Sequence, residues 1–576
     1  MLLTIMPVKK VPVYINKKKY LALPGESMLS VAQRNKIDIP HLCWHEDLPV
    51  FGGCRICLVE DSDGKVLTSC TLRATKDLAI TTDTKDVQQL RQQNLQLLLA
   101  NHQANCWRCQ QKFDCPTNKL IEKYQLDFSA IIKTKIKEKI QKLNVAAEIN
   151  PAACIACNQC ASICDQIGIG YLQLVDQGTL TTVETSKDAK VDCIYCGQCT
   201  AHCPVSAVHE QNQLADVIDS IEDNKKIVIA QMAPSVRCSI GEEFGLAPGT
   251  DLTGQCYTAL RQLGFDYVFD VNMGADITTL VEAAELLKRL KENKNLPMFT
   301  ACCPAWVKYV EFYHPELINN LTSARSPHIH SGGAYKTWWA REEGVKPKNI
   351  VVVSIMPCTS KKYEARHTKL KINGLWPVDH VITTREFAVW LKQRRIDLDQ
   401  LPVSDVDLPG QYSGAGAIYG ASGGVMESAL RTAYEQYTGK ALKKLEFKQV
   451  RGRQGIKKAE IDFGDRQLKV AVAATVRNAA LLIAELKNDP QAYQYIEVMA
   501  CPGGCIGGGG QPIPHTQKIV SQRTAGLYRH DSKMKVRKAH DNPVVQDFMN
   551  NYIAKLTRQE QERILFTTYT VKKKFD

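Results

Sequence analysis

No apolar run in the 576-residue chain reaches the ~18 residues that a membrane-spanning helix requires. The first residues, Met1 to Met6 followed by Pro-Val-Lys-Lys, hold too short an apolar stretch for a secretory signal, and no twin-arginine pair follows. These two absences predict a cytoplasmic protein without membrane contact. No glycine-rich nucleotide loop stands in a strand–turn–helix context, so nicotinamide chemistry would need another chain. The composition, 44% apolar and 23% charged, is that of ordinary globular domains. The length is too great for one core and implies roughly three to five domains.

The formal charge of +13 invites a nucleic-acid reading. That count treats every cysteine as neutral, whereas cluster ligands are thiolates and loaded clusters carry net negative charge. The Lys/Arg excess then balances metal sites. The basic stretch Lys133–Lys142 reads as a solvated helix face or linker, and no nucleic-acid partner is expected.

Cysteine is what the chain has in quantity. All but Cys238, Cys256 and Cys302 of its 22 cysteines fall into five groups. In a large chain expected in the cytosol, such density points to metal or redox chemistry rather than disulfides. Cys238 and Cys256 read as ordinary buried residues.

The fourth group, Cys193, Cys196, Cys199 and Cys203 followed by Pro204, has the spacing of a bacterial ferredoxin run. The third, Cys154, Cys157, Cys160 and Cys164, repeats that spacing with Asp165 in place of the proline. In such runs the fourth cysteine serves the other cluster. The predicted sites are thus Cys154, Cys157, Cys160 and Cys203 for one [4Fe–4S], and Cys193, Cys196, Cys199 and Cys164 for the other. Zinc usually takes two separated Cys-x2-Cys pairs instead.

The first group is Cys43, Cys54, Cys57 and Cys70, for which a zinc knuckle competes with a [2Fe–2S] cluster. The lead-in favours the cluster: strands at Val11–Ile15 and Tyr20–Leu23 around a turn at Asn16–Lys19, then a helix from Pro24-Gly25-Glu26-Ser27. Strand–turn–strand–helix suggests a β-grasp domain. The second group, Cys106, Cys109 and Cys115, lacks a fourth thiol, and His102 at the end of a predicted helix (Val87, Leu90, Leu97 and Leu98 on its period) is the candidate ligand.

After about Lys225, β-branched runs alternate with helical stretches. The runs are Ile227–Ala230, Tyr267–Val271, Ile350–Ile355, His380–Thr383, Val470–Thr475 and Ile496–Met499, and the clearest helix is Thr279–Asn293. This is α/β organisation, with sites expected on loops after strands. Three such loops carry the dispersed fifth group. They read Thr300-Ala301-Cys302-Cys303-Pro304-Ala305-Trp306, Met356-Pro357-Cys358-Thr359-Ser360-Lys361-Lys362-Tyr363-Glu364, and Glu497-Val498-Met499-Ala500-Cys501-Pro502-Gly503-Gly504-Cys505. Gly503, Gly504 and Gly507–Gly510 would let the backbone approach a bulky cofactor. The chain after about Pro512 reads as basic and irregular.

The order of the first four groups is similar to the N-terminal half of iron-only ([FeFe]) hydrogenases, and also to the large iron–sulfur subunit of respiratory NADH dehydrogenase. The three loops resemble the signature loops of [FeFe]-hydrogenases, and this resemblance covers essentially the whole chain. It implies a multidomain α+β and α/β protein. Residues 1–85 would be a β-grasp [2Fe–2S] domain, 86–140 a small helical His/Cys3 [4Fe–4S] domain, and 141–212 a two-[4Fe–4S] ferredoxin-like domain. Residues 213–512 would form the H-cluster domain, with two mixed or parallel-sheet lobes, and 513–576 a wrapping segment.

The resemblance further implies that Cys303, Cys358, Cys501 and Cys505 hold the [4Fe–4S] part of the H-cluster. Cys505 would bridge to a diiron subsite carrying CO, CN⁻ and an azadithiolate. Ala233, Pro234, Ser235 and Lys361 would meet cyanide, and Met356 and Met499 would pack near the diiron. Cys302 would exchange protons with the dithiolate amine, and Glu282, Glu285, Thr322 and Arg289 would carry them to solvent. By spacing alone Glu282, Glu285 and Arg289 would be a solvated salt-bridge face. Ala301 replaces a frequent serine, and His328 stands where close relatives place a glutamine, adding a titratable group beside the site. Arg366 and His367 stand where the second loop often continues to an arginine one position later.

The activity implied is reversible, 2H⁺ + 2e⁻ ⇌ H₂. A ferredoxin-like donor, diiron-site maturation proteins and flavin/NADH subunits are the partners expected. An electron-transfer subunit of an NADH-linked complex is the alternative, against which the three loops and Cys302 weigh. A hydrogen sensor would be expected to lack Cys302.

Overall fold

The computed structural model describes residues 9–100, 102, 113–127, 131, 140–175, 181–442, 444–452 and 455–574. Cys106, Cys109 and most of the Lys133–Lys142 stretch lie outside the described residues.

The N-terminal unit is a five-stranded sheet. Val11–Ile15 pairs antiparallel with Lys18–Ala22 across a turn in which Asn16 and Lys17 take positive φ, and parallel with Ala79–Thr81. Leu58–Asp61 and Val66–Thr68 complete it. The helix Met28–Arg34 starts at Ser27, whose side chain accepts from the Ser30 N–H, and buries Met28, Leu29, Val31 and Ala32 on the sheet. The Lys85–Ala100 helix that follows presents a different stripe from the one its sequence suggests. Val87, Arg91, Leu95 and Leu99 are buried, whereas Leu90 and Leu97 are exposed. Arg91 is drawn inward because its guanidinium donates to the Leu58 carbonyl.

Residues 213–512 contain two four-stranded sheets. In the first, Tyr267–Asp270, Ile227–Met232, Ile350–Met356 and His380–Thr383 lie in that order, all parallel. In the second, Met298–Phe299, Tyr495–Met499 and Gln467–Ala474 are parallel, and Ile456–Asp462 closes the edge antiparallel. Every residue of Ile350–Met356 and of Tyr495–Met499 is buried, as strands covered on both faces require.

The helix expected at Thr279–Asn293 runs from Val271 to Glu292. It starts directly off a strand because the Asp270 carboxylate caps the Asn272 N–H at 2.9 Å and pairs with the buried Arg237 at 2.6 Å. The C-terminal segment is not irregular: it forms helices at Gln517–Lys533, Pro543–Asp547 and Arg558–Leu565. Its apolar positions, Val520, Leu527, Val545, Ile564 and Leu565, are spaced too widely to stand out among polar neighbours, yet all are buried.

Candidate active site

Four strands end in loops that carry candidate residues. Ile227–Met232 runs into Ala233-Pro234-Ser235, Met298–Phe299 into Thr300–Cys303, Ile350–Met356 into Pro357-Cys358, and Tyr495–Met499 into Ala500-Cys501. Two come from each sheet, at the C-terminal ends where parallel sheets place ligands. Hydrogen bonds tie the loops together. Gly510 N donates to the Pro357 carbonyl at 2.8 Å, and Lys361 Nζ to the Cys302 carbonyl at 3.0 Å. Gly504 has φ +93°, and a Cβ there would meet Ser422 N at 2.6 Å. The Gly507–Gly510 run serves close approach rather than positive φ: a Cβ on Gly509 would meet the Cys196 carbonyl at 2.5 Å.

The loops bring Cys303, Cys358, Cys501 and Cys505 together. Burial raises the Cys501 thiol well above its usual range, and the charges of Cys358, Cys303 and Cys505 raise it further. Opposing that trend, backbone N–H groups point at the sulfurs: those of Ala500, Trp306 and Ala305 at Cys303, and those of Lys361 and Ser360 at Cys358. Such donors stabilise thiolates, and with four buried thiols so close only a cationic centre would let all ionise. The residues fit an iron–sulfur cluster.

Among the described residues, the first group and His102 converge on the third group. Cys43 lies beside Cys54, and Cys57 beside Cys70. Cys157 is raised by burial and then by Cys203, Cys154 and Cys54, so Cys203 sides with the earlier run and the first group reaches the third. Cys164 sides with Cys193 and Cys199. His102 is buried, and its Nδ1–H donates to the Ala153 carbonyl at 2.8 Å beside Cys154. That bond selects the tautomer with its lone pair on Nε2. The first group and His102 therefore both meet the third group. Cys199 adds to Cys160, and Cys501 is the leading charge on Cys196 after burial. The path thus runs on to the dispersed set.

Cys302 is buried, and after burial the charge that most raises its thiol is Glu282. Glu282 is itself 1% exposed, so the face it lies on is not solvated. Burial is the main cause that pushes its carboxyl up to about 8. Its Oε1 accepts from the Tyr495 hydroxyl at 2.7 Å. Beyond it, Glu285 Oε2 accepts from Thr322 Oγ1 at 2.8 Å, Ser323 Oγ at 2.8 Å and Ser323 N at 2.9 Å. Arg289 pairs with Glu285 and donates to the carbonyls of Asn295, Asn319, Asn320 and Leu321. It is a well-anchored end to the row.

Lys361 is buried, and Glu364 holds its ammonium above the usual range against the cost of burial. Glu364 Oε2 accepts from Lys361 Nζ at 2.7 Å and faces His328 Nε2 at 2.7 Å. Gln231 Nε2 donates to Ser354 Oγ at 2.7 Å, which directs the serine proton to His328 Nδ1 at 3.3 Å. His328 is thus the neutral Nε2–H tautomer, and burial lowers it to about 4. The expected titratable group is a fixed donor instead. Ser235 is fully buried and its hydroxyl has no hydrogen-bond partner among the described residues, an orphan of the kind a ligand satisfies. Met356 and Met499 are buried, each at the end of an inner strand of one of the two sheets. Cys238 and Cys256 are buried in apolar clusters.

Sequence reasoning missed Tyr495, Ser323 and Glu364. Period-two alternation places Tyr495 on the same strand face as Glu497 and Met499, a usable signal. Glu364 stands three residues after Lys361 within a quoted motif. Ser323 gave no signal beyond its place next to Thr322.

Residues 226–509 match the family profile described as "Iron only hydrogenase large subunit, C-terminal domain". Residues 8–85 match "2Fe-2S iron-sulfur cluster binding domain", and 517–572 "Iron hydrogenase small subunit". The chain is 37% identical to Iron hydrogenase 1 of Clostridium pasteurianum over 97% of this chain and 99% of that one. The chain belongs to the [FeFe]-hydrogenase family. It is also 37% identical to the NADP-reducing hydrogenase subunit HndD of Solidesulfovibrio fructosivorans, over 95% of this chain and 96% of that one. Among solved structures it is similar to the [FeFe]-hydrogenase HydA1 of Chlamydomonas reinhardtii, variant E141Q. That match has a TM-score of 0.57 and 37% identity, and covers 63% of this chain and 99% of that one. The protein is an [FeFe]-hydrogenase, an oxidoreductase acting on hydrogen, with an N-terminal ferredoxin-like [2Fe–2S] domain and a large α/β catalytic domain. Among the described residues no helix is long and apolar enough to cross a membrane.

Proposed function

We propose that this hydrogenase holds one [2Fe–2S] cluster on Cys43, Cys54, Cys57 and Cys70, and three accessory [4Fe–4S] clusters. One of the three is on His102, Cys106, Cys109 and Cys115, and two are on the interleaved runs. Cys303, Cys358, Cys501 and Cys505 would hold the H-cluster cubane. When bound, the diiron subsite with its CO, CN⁻ and azadithiolate supplies the centre where protons, electrons and H₂ interconvert.

The chain's own residues then divide the work. Cys302 holds a proton at its sulfur beside the cofactor, where burial keeps the thiol neutral. Glu282, raised to about 8, exchanges that proton near neutral pH. Thr322, Glu285 and Arg289 lead it outward. Lys361, pinned by Glu364, and the Ala233–Ser235 turn orient the cofactor's anionic ligands, while Met356 and Met499 exclude water. The five-part division at 85, 140, 212 and 512, a ferredoxin-like donor, diiron-site maturation proteins and a cytoplasmic location complete the reading. The observation that carries it is Cys302: a buried thiol outside the four-thiol set, with a buried carboxyl as its leading charged neighbour.

Production with and without diiron-site maturation proteins tests it. Matured protein should show CO and CN⁻ infrared bands and evolve hydrogen from a reduced dye. Fully metallated protein with neither would end it. The name of the relative HndD favours a second arrangement, in which a pyridine-nucleotide-linked subunit supplies the electrons. Co-purification of a flavin-bearing chain would select that arrangement.

A further inference from the structure

Glu282 is held on one side only. Its Oε1 accepts from the Tyr495 hydroxyl at 2.7 Å, while Oε2 is buried and has no hydrogen-bond partner among the described residues. Tyr495 is 0% exposed and lies on an inner strand, paired with Met298 on one side and Val470 on the other. Backbone pairing on both edges fixes the strand from which the phenol reaches Glu282.

The other groups around Glu282 are committed elsewhere. On its own helix, Glu285 is taken by Thr322, Ser323 and Arg289. Glu497, from the Tyr495 strand, accepts the N–H groups of Gly423 and Met426. Tyr419, from the Ile418–Gly420 turn, bonds Thr279 Oγ1 at 2.8 Å, and Tyr569 of the C-terminal segment donates to the Thr322 carbonyl at 2.9 Å. Cys302 is the remaining titratable neighbour. No cation contacts Glu282 among the described residues, so the Tyr495 hydroxyl is its only donor there.

We propose that Tyr495 is a positioning residue for proton transfer, pinning one oxygen of Glu282 so that the other alone exchanges the proton between Cys302 and the Thr322–Glu285 arm. This rests on the relay proposed above. A donor to the carboxylate favours the charged form, so Tyr495 counteracts the burial that pushes Glu282 up to about 8. Its loss would move Glu282 upward by about one pH unit, the worth of one such bond.

The test uses matured holoenzyme as wild type, Tyr495→Phe and Glu282→Gln. Hydrogen evolution is followed against pH, with infrared spectra read for CO, CN⁻ and the carboxylic C=O stretch that Glu282→Gln removes. In Tyr495→Phe the CO and CN⁻ bands should stay, the C=O stretch should rise in wavenumber, and the alkaline limb should move up by about one pH unit. Turnover should fall roughly threefold to tenfold. An unmoved limb and stretch in Tyr495→Phe, with Glu282→Gln inactive, overturn the role of Tyr495 alone. Full turnover in Glu282→Gln overturns the relay beneath it. If Tyr495→Phe does not load its cofactor, 3,5-difluorotyrosine at position 495 decides. This more acidic phenol, a stronger donor, should shift the limb downward, and an unmoved limb overturns the proposal.

Discussion

Lys361 Nζ donates to the backbone carbonyl of Cys302 at 3.0 Å, joining the second signature loop to the first. The same ammonium lies 2.7 Å from Glu364, with both side chains mostly buried. One ion pair therefore fixes both the buried Lys361 charge and the backbone of Cys302.

Glu364→Gln removes the counter-charge and leaves a buried ammonium. Breaking one side of such a pair costs about 3–5 kcal/mol. Thermal unfolding of the unmatured protein should show the loss, and the matured variant should carry weaker CN⁻ bands per cubane. Wild-type stability and full loading would show that the pair is incidental.

His328→Gln should be mild. The ring is neutral and acts as a donor to Glu364, a task a glutamine amide also performs. Turnover within about threefold of wild type and an unchanged pH profile are expected. A new pH limb in the wild type that the variant lacks would mean that His328 titrates during turnover.

Burial lowers His330 to about 3 and His328 to about 4. Each binds a proton more readily when unfolded, so its contribution to stability is present above the ordinary value near 6.5 and is lost as pH falls toward the lowered one. Denaturant unfolding between pH 7.5 and 5 should lose about 1.4 kcal/mol per pH unit per histidine below that value. His330→Gln should flatten the slope by one histidine's share. An equal slope would contradict neutral burial of His330.

His102→Ala should delete one [4Fe–4S] signal in the electron paramagnetic spectrum of the reduced protein and leave the other accessory signals. Dye-driven hydrogen evolution should fall less than evolution driven by a reduced ferredoxin. The convergence on the third group predicts this, because the first group reaches Cys157 without passing His102.

Much of the catalytic domain was legible in its strands. His380–Thr383 is bounded as its β-branched run predicts, and all four site loops follow strand ends. Local patterning failed where long-range contacts decide. The Val271–Glu292 helix begins early because Asp270 is both cap and ion-pair partner, and Arg237 lies 33 residues away. The inward face of Lys85–Ala100 includes an arginine because a carbonyl from another element awaits it. The candidate thiols of the compact groups stand out because their spacing is local, whereas Cys303, Cys358, Cys501 and Cys505 stand out only through the three loop motifs. Period-two alternation gives the strand face of Tyr495 but not its partner, Glu282, which is 213 residues away.

The most direct test is Cys302→Ala in matured protein, read by hydrogen evolution together with infrared spectra. Retained CO and CN⁻ bands with turnover reduced by at least about a hundredfold are expected, the scale of a lost general acid–base group. Unchanged turnover with the bands intact would contradict proton transfer through Cys302.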